Sequence, residues 1–138
     1  MENEKIEVKA TIKGSTEKIW RYYTQPIHIM KLNFANNDWS CPHAENDLRV
    51  GGHFTYRMEA KQGQQGFDFE GTYDEVEDQE KIAYTLEDDR EIIVTFERLG
   101  EHTLVTVAFD ADKEHSRQQQ QEGWQAILDN FRDYVESN

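Results

Sequence analysis

The C-terminal part of the chain carries one apolar stripe at helical spacing, and this stripe limits the possible folds more than any other feature. Its large side chains recur every three or four residues, and they are Trp124, Ile127, Leu128, Phe131, Tyr134 and Val135. A helix of about 25 residues from Lys113 onward would be roughly 37 Å long at the standard rise. Because only one side of this helix is apolar, we expect it to lie against a second layer of the protein.

One strand and two short helices are predicted at the start of the chain. Residues 4–12 alternate between polar and apolar side chains, as in a half-buried strand. Ser15 is a suitable N-cap for a helix that contains Trp20, and Pro26 suits the first turn of a second short helix. Residues 33–46 show no clear period, so we expect a long structured loop there.

From position 47 the pattern changes to a series of strands. Apolar and polar side chains alternate on both sides of a turn at residues 61–66. Further strands are predicted at residues 81–86, 91–98 and 103–109, and the last two carry apolar residues on both faces, which leaves their inner face open. Consecutive strands joined by short turns are typical of an antiparallel meander.

The first hairpin of this meander has a predicted register. If its strands are symmetric about the turn, Met58 faces Phe69 and Tyr56 lies across from Gly71. An aromatic ring that covers a strand glycine is a favourable pairing.

The order of these elements indicates the α+β class, with a curved antiparallel sheet and a long helix against it. A length of 138 residues is typical of one domain, and no internal repeat or linker interrupts the chain. Residues 1–138 are therefore predicted to form a single domain.

The charge, the single cysteine and the hydropathy of the chain limit its possible partners and its expected location. The net charge is −13, from 28 acidic and 15 basic residues, and such a surface repels nucleic acid and anionic membranes. Cys41 is the one cysteine, so no internal disulfide forms. Neither a secretory signal nor an apolar run of membrane-spanning length is present, and we expect a cytoplasmic protein.

Motifs along the chain resemble those of a known family. DLRVGGHF at 47–54 resembles its D-x-R-x-G-G-x-F signature, FEGTY at 69–73 resembles its F-x-G-x-Y strand, and GWQAIL at 123–128 is similar to its G-W-x-x-x-L helix. NDWSCP at 37–42 resembles a bacterial subgroup. The chain thus resembles the homologues of the heat-shock protein 90 ATPase activator (C-terminal-domain type), in their bacterial stand-alone form.

This resemblance implies the helix-grip fold of the START-like (SRPBCC) superfamily, in which a long helix closes a concave sheet over an apolar cavity. The family includes lipid and polyketide binders, self-resistance proteins, cyclases and a co-chaperone domain. The expected function is to bind a small hydrophobic, lipid- or polyketide-like ligand in that cavity. The alternatives are a cyclase- or hydrolase-like enzyme and a chaperone-associated stress protein.

The candidate ligand-binding residues are mostly large apolar or aromatic side chains on the elements expected to face the cavity. They are Trp39, Phe54, Tyr56, Met58, Phe67, Phe69, Trp124, Leu128 and Phe131, together with His28. The same side chains would equally form a solid core. An empty apolar void of about 300 Å³ would cost on the order of 7 kcal/mol. A domain has only about 5–15 kcal/mol of stability, so such a cavity holds ligand or water, or side chains close it.

Other sites are incomplete in the sequence. Cys41 and His43 lack the further ligands of a zinc set, so we expect neither a metal nor a cofactor. Cys41 as a nucleophile would need a base such as His28 or His43, and a lone cysteine is more often a packed residue. The enzyme alternative depends on His28, Tyr56 and Tyr73 as proton donors or acceptors, and no catalytic residue is assigned.

Two polar features have mainly structural interpretations. The Gly51-Gly52 pair permits a tight entry into a strand, and Arg49 can pair with Asp47. Residues 74–91 hold nine carboxylates and two basic groups, which would either dock a basic protein partner, such as a chaperone, or form a solvated sheet edge. A monomer or weak dimer is expected.

Overall fold

The computed structural model describes residues 5–32, 39–60 and 66–137. Its elements, in chain order, are β1 (Ile6–Lys13), α1 (Thr16–Thr24), α2 (Pro26–Leu32), β2 (Trp39–Asn46), β3 (His53–Ala60), β4 (Gly66–Glu77), β5 (Lys81–Leu86), β6 (Glu91–Leu99), β7 (His102–Phe109) and α3 (Arg117–Ser137). The predicted α+β order, with two short helices after the first strand and a long helix at the end, is confirmed.

The seven strands form one curled antiparallel sheet in the order β1-β7-β6-β5-β4-β3-β2. Strands β2 to β7 follow one another as a meander, and β1 closes the far side by pairing with β7. The structure shows which face of β6 and β7 is buried, a question that the sequence pattern left open. The buried residues of β6 and β7 are Ile92, Val94, Phe96, Thr103, Val105, Val107 and Phe109. The apolar residues among them share one core with Leu128, Phe131 and Val135 of α3.

Strand β2 corrects the expectation of a loop at residues 33–46. Residues 39–46 pair with β3, but the register shifts between Ser40 and His43. This irregularity removes the alternation that marks a regular strand, which is why the sequence pattern shows no period. Pro42 is tolerated because β2 is an edge strand of the sheet. Residues 33–38 lie outside the described part of the chain.

The observed register of the β3–β4 hairpin differs from the predicted one by two residues. Tyr56 pairs with Phe69, Met58 with Phe67, and Phe54 with Gly71. A shift of two residues keeps every side chain on its predicted face, because side chains alternate with period two. Alternation therefore predicted the faces of this hairpin correctly, and the symmetric placement of the turn was wrong.

Side chains cap the N-termini of α1 and α3, and the cap of α1 is the predicted one. Ser15 caps α1, because its hydroxyl accepts a hydrogen bond from the Lys18 N–H at 3.1 Å. Helix α3 begins at Arg117, four residues later than expected. Ser116 and Gln119 form a capping box there: each side-chain oxygen accepts the backbone N–H of the other residue, at 3.0 and 3.2 Å.

Glutamines of α3 bond to the exposed edge of β1. The side-chain amide of Gln121 donates to the carbonyl of Glu7 at 3.3 Å, and that of Gln125 donates to the carbonyl of Lys9 at 2.9 Å. An uncovered edge strand is a template for aggregation, so these contacts protect one side of the sheet.

The glycine pair before β3 has the structural role expected for it. A Cβ at position 52 would lie 2.1 Å from the carbonyl oxygen of Asp47, and Gly51 has a φ of +82°. The Arg49 Nε lies 2.9 Å from a carboxylate oxygen of Asp47, as predicted. The loop is thus held closed where the chain enters the sheet.

Candidate functional site

A cavity of about 290 Å³ lies between the sheet and α3. Every helix and four of the strands contribute to its wall, which consists mainly of apolar and aromatic side chains. The lining residues are Tyr23, Thr24, Ile29, Tyr56, Met58, Phe67, Phe69, Tyr73, Ile82, Tyr84, Arg90, Val107, Trp124, Ile127, Leu128 and Phe131. The volume is close to the lower end of the range for ligand pockets, about 300 Å³.

Seven of the ten candidate ligand-binding residues lie on this wall. They are Tyr56, Met58, Phe67, Phe69, Trp124, Leu128 and Phe131. That they contact a ligand remains a prediction. The backbone of Trp39 begins β2, and its side chain lies outside the described part of the structure.

Phe54 lies behind the cavity wall rather than on it, which corrects its expected position. Its side chain is only 1% exposed. The ring packs over Gly71, where an added Cβ would lie 3.1 Å from it. Because the glycine leaves this space open, Phe54 fills it and supports the aromatic side chains of the wall. Its ring centroid lies 4.9–5.8 Å from those of Tyr56, Phe69, Tyr73 and Tyr84.

His28 also lies away from the cavity wall, contrary to expectation. Its neighbour on α2, Ile29, is 2% exposed and lines the cavity. Successive side chains on a helix point about 100° apart, so His28 projects to one side. There its ring stacks on Tyr22 at 4.0 Å, and its Nδ1 forms a 2.8 Å hydrogen bond with the Tyr134 hydroxyl. Its observed role is to link α2 to α1 and α3.

Four tyrosines supply most of the polar groups on the wall, and two of these, Tyr56 and Tyr73, belong to one network. The Tyr73 hydroxyl donates to the side-chain oxygen of Asn46. The Asn46 amide donates in turn to the carbonyl of Thr24 at 2.6 Å. Burial raises the pKa of Tyr56, and the adjacent Tyr73 hydroxyl raises it further. These phenols therefore stay neutral at ordinary pH.

The other two tyrosines, Tyr23 and Tyr84, differ in their hydrogen bonding. Among residues 5–32, 39–60 and 66–137, neither hydroxyl has a hydrogen-bond partner. In that same part of the chain, no side-chain oxygen closed to solvent lacks a partner. The two hydroxyls therefore reach accessible space, and the cavity that both residues line provides it. Burial raises the pKa of both groups, so both are hydrogen-bond donors.

Arg90 is the only charged side chain on the wall among the described residues. It lies in the β5–β6 turn, where its Nε is 2.8 Å from Asp88 and its Nη1 is 3.8 Å from Asp112. These two carboxylates largely compensate the guanidinium charge.

Sequence reasoning missed several wall residues, among them Tyr23, Ile29, Tyr84 and Arg90. The position of Tyr84 between two buried apolar residues, at alternating spacing, is a signal for an inward-facing side chain. Arg90 has no such signal, because the sequence does not show which turn lies beside the cavity.

Cys41 has the surroundings of a structural residue. It packs with Ile29, Ala44 and Met58, and its Sγ donates to the carbonyl of His43 at 3.6 Å. Burial raises the pKa of its thiol to about 11, so the reactive thiolate is scarce at neutral pH. The His43 ring lies on the exposed side of β2, 3.2 Å from Glu45. The structure therefore does not arrange Cys41 and His43 as a nucleophile and its base.

Together, the curled sheet, the long helix packed against it and the cavity between them define a helix-grip protein of the START-like class. The family model described as "Activator of Hsp90 ATPase homolog 1-like protein" matches residues 13–136. The chain belongs to this family.

Solved structures with the same fold come from several bacteria. The AHSA1-like protein from Aeromonas hydrophila is 41% identical, with a TM-score of 0.91 over 96% of this chain and 92% of that one. A protein from Cytophaga hutchinsonii is 43% identical, with a TM-score of 0.85 over 97% and 93%. One from Chromobacterium violaceum is 23% identical, with a TM-score of 0.86 over 96% and 97%, and shows the fold alone. No curated protein sequence matches the chain. Within the described residues, no helix has the length and apolar character needed to span a bilayer.

Proposed function

We propose that this protein binds one small hydrophobic molecule in the cavity between the sheet and α3. The observation that carries the proposal is the cavity itself, about 290 Å³ in volume and walled mainly by apolar and aromatic side chains. An engineered apolar cavity of about 150 Å³ holds one benzene molecule. A cavity of twice that volume has room for a ligand the size of two fused rings.

The energetics also disfavour an empty, dry cavity, so the space holds water or a ligand. At about 24 cal/mol per Å³, an empty apolar space of this volume would cost roughly 7 kcal/mol. That is a large part of the 5–15 kcal/mol by which a typical domain is stable. A ligand that fills the space recovers part of this energy by replacing the missing contacts. The helix-grip fold, which is known for ligand binding, supports the same proposal.

Binding is preferred to catalysis because, of the groups considered for chemistry, His28 and Cys41 do not join Tyr56 and Tyr73 on the cavity wall. His28 bonds to Tyr134 away from the cavity, and Cys41 is not among the cavity-lining residues. The wall tyrosines have raised pKa values and are poor bases at neutral pH. A chaperone-associated role is the remaining alternative, and it would use the acidic surface of residues 74–91 rather than the cavity.

The first experiment is native mass spectrometry of the protein as purified from cells. We expect a retained small molecule, or, after its removal by refolding, uptake of added indane. Indane is a neutral hydrocarbon with two fused rings, so it tests the volume and apolarity of the cavity alone. Saturable binding of one indane per chain, with shifts of the Trp124 indole resonance in NMR spectra, would support the proposal.

The opposite result is also clear. If no compound is retained, and neither indane nor the smaller benzene binds saturably, the cavity is simply hydrated and the proposal is wrong. Conversion of a retained compound during incubation would favour the enzyme alternative. Binding to a chaperone without any ligand would favour the chaperone-associated alternative.

The proposal also includes a cytoplasmic, single-domain protein that acts as a monomer or weak dimer. The net charge of −13 supports high solubility and weak self-association. Sedimentation at two protein concentrations measures the oligomeric state, and a stable dimer at micromolar concentration would contradict this part.

A further inference from the structure

We propose that the ligand carries a neutral hydrogen-bond-accepting oxygen, of the carbonyl type, and that the hydroxyls of Tyr23 and Tyr84 hold it. This inference rests on the proposed function and specifies the chemistry of its ligand. It follows from a difference among the tyrosine hydroxyls on the cavity wall, which do not all have a protein neighbour within the described residues.

The hydroxyls on the wall fall into two sets. Tyr73 is bonded to Asn46, and Tyr56 lies against Tyr73, so both have protein neighbours. Tyr23 and Tyr84 have no hydrogen-bond partner in the described parts of the chain. The Tyr84 side chain is only 7% exposed. Because both hydroxyls reach the cavity, an acceptor held there can take a hydrogen bond from each.

An acceptor is the partner that suits both phenols best, because a phenol is a stronger hydrogen-bond donor than acceptor. Burial raises the pKa of both Tyr23 and Tyr84, and the nearby Tyr73 raises both further. Neutral phenols with no other partner can donate their protons. Both residues line the same cavity, Tyr23 from α1 and Tyr84 from β5. A carbonyl oxygen has two lone pairs and can accept a hydrogen bond from each.

The charges around the cavity favour a neutral acceptor over a carboxylate. In the described structure Arg90 is the sole cation on the wall, and Asp88 and Asp112 already lie beside its guanidinium. An anionic ligand would therefore meet a guanidinium whose charge Asp88 and Asp112 already balance, and it would lie close to these two carboxylates. Taking a carboxylate out of water without a full counter-charge is costly.

Two probes of nearly equal shape test this inference: indane and 1-indanone, which differ by one carbonyl group. Their dissociation constants are measured by calorimetry or NMR titration for the unmodified protein, for Tyr23→Phe, for Tyr84→Phe and for the double variant. These substitutions keep each ring and remove only its hydroxyl. Tyr22→Phe is the matched control, because Tyr22 lies on the same helix as Tyr23 but stacks on His28 outside the cavity.

We expect each Phe substitution to weaken 1-indanone binding by about two- to tenfold, the equivalent of one hydrogen bond. Indane binding should stay the same or tighten, and Tyr22→Phe should change neither constant. Circular dichroism and urea unfolding of each variant establish that the loss does not come from misfolding.

Two results would overturn the inference while the proposed function stands. One is an equal change, or no change, in the binding of both probes to the double variant. The other is tighter binding of 2-indanecarboxylate than of 1-indanone to the unmodified protein, which would place the polar anchor at Arg90. Failure of indane itself to bind would instead contradict the proposed function.

Discussion

The hydroxyl of Tyr73 donates a hydrogen bond to the side chain of Asn46, 27 residues earlier in the chain. Asn46 ends β2, and its amide donates to the carbonyl of Thr24, the last residue of α1, at 2.6 Å. One side chain thus joins the cavity wall, the edge strand and the first helix. It also satisfies a helix-terminal carbonyl, which has no partner within its own helix.

Asn46→Ala should lower the free energy of unfolding by about 2–3 kcal/mol. The change removes two hydrogen bonds and leaves the Tyr73 hydroxyl and the Thr24 carbonyl without their partner. Urea unfolding measures the effect. Glu45→Ala, at the exposed neighbouring position, is the control and should change stability by no more than about 0.5 kcal/mol. Equal effects at the two positions would show that the network does not contribute to stability.

Alanine substitutions at two glycines should have opposite effects. A Cβ at position 71 would lie 2.6 Å from the carbonyl oxygen of Thr85 and 3.1 Å from the Phe54 ring. Gly71→Ala should therefore lower the free energy of unfolding by about 1–3 kcal/mol. Gly123 lies within α3 with nothing within 4 Å of its added Cβ. Gly123→Ala should raise the free energy of unfolding by about 0.5–1 kcal/mol. Thermal unfolding of both variants tests the pair, and destabilisation by Gly123→Ala would contradict the observed packing of α3.

Phe69→Trp should reduce the uptake of indane. Phe69 lies on the wall, 6.1 Å from Trp124 between ring centroids, and a larger ring there takes up cavity volume. We expect the dissociation constant of indane to rise at least fivefold. Stability should change little, because the larger ring makes new contacts in place of those that Phe69 made. Leu99→Trp, at an exposed position near the end of β6, adds the same side chain outside the cavity as a control. Unchanged indane affinity in Phe69→Trp would place the ligand elsewhere.

The thiol of Cys41 should react slowly with disulfide reagents at pH 8. Burial raises its pKa from 9.0 to about 11, and this effect exceeds the opposing effect of the hydrogen bond with the His43 carbonyl. Because the folded state keeps this proton in a pH range where the unfolded chain loses it, the contribution to stability falls as the pH rises from about 9 towards 11. Below pH 9 the contribution is constant.

Thiol modification rates between pH 7 and pH 10 measure the first effect, and urea unfolding across the same range measures the second. Cys41→Ala is the control and should show a smaller loss of stability with rising pH. Fast modification at pH 8 in the folded state would contradict the burial of this thiol.

The sequence by itself determined most of the secondary structure and the orientation of its side chains. Period-two alternation located every strand of the sheet except β2, and it predicted the buried faces of β1 and of the β3–β4 hairpin. The stripe from Trp124 to Val135 located α3. These patterns are readable because each strand or helix must bury one face, whatever its neighbours are. The glycine pair at 51–52 was interpreted correctly for a similar reason, since its backbone constraint is local.

Only the tertiary structure decided the features that depend on partners distant in sequence. Strand β2 exists because β3 pairs with it despite the shift after Ser40, and the hairpin register follows from contacts such as that of Phe54 with Gly71. The hollow between sheet and helix, and the placement of the Tyr23 and Tyr84 hydroxyls on its wall, arise where several elements meet. Alternation shows which side chains point inward, but it does not show whether they touch. That depends on the distance between layers, which the curvature of the whole sheet sets.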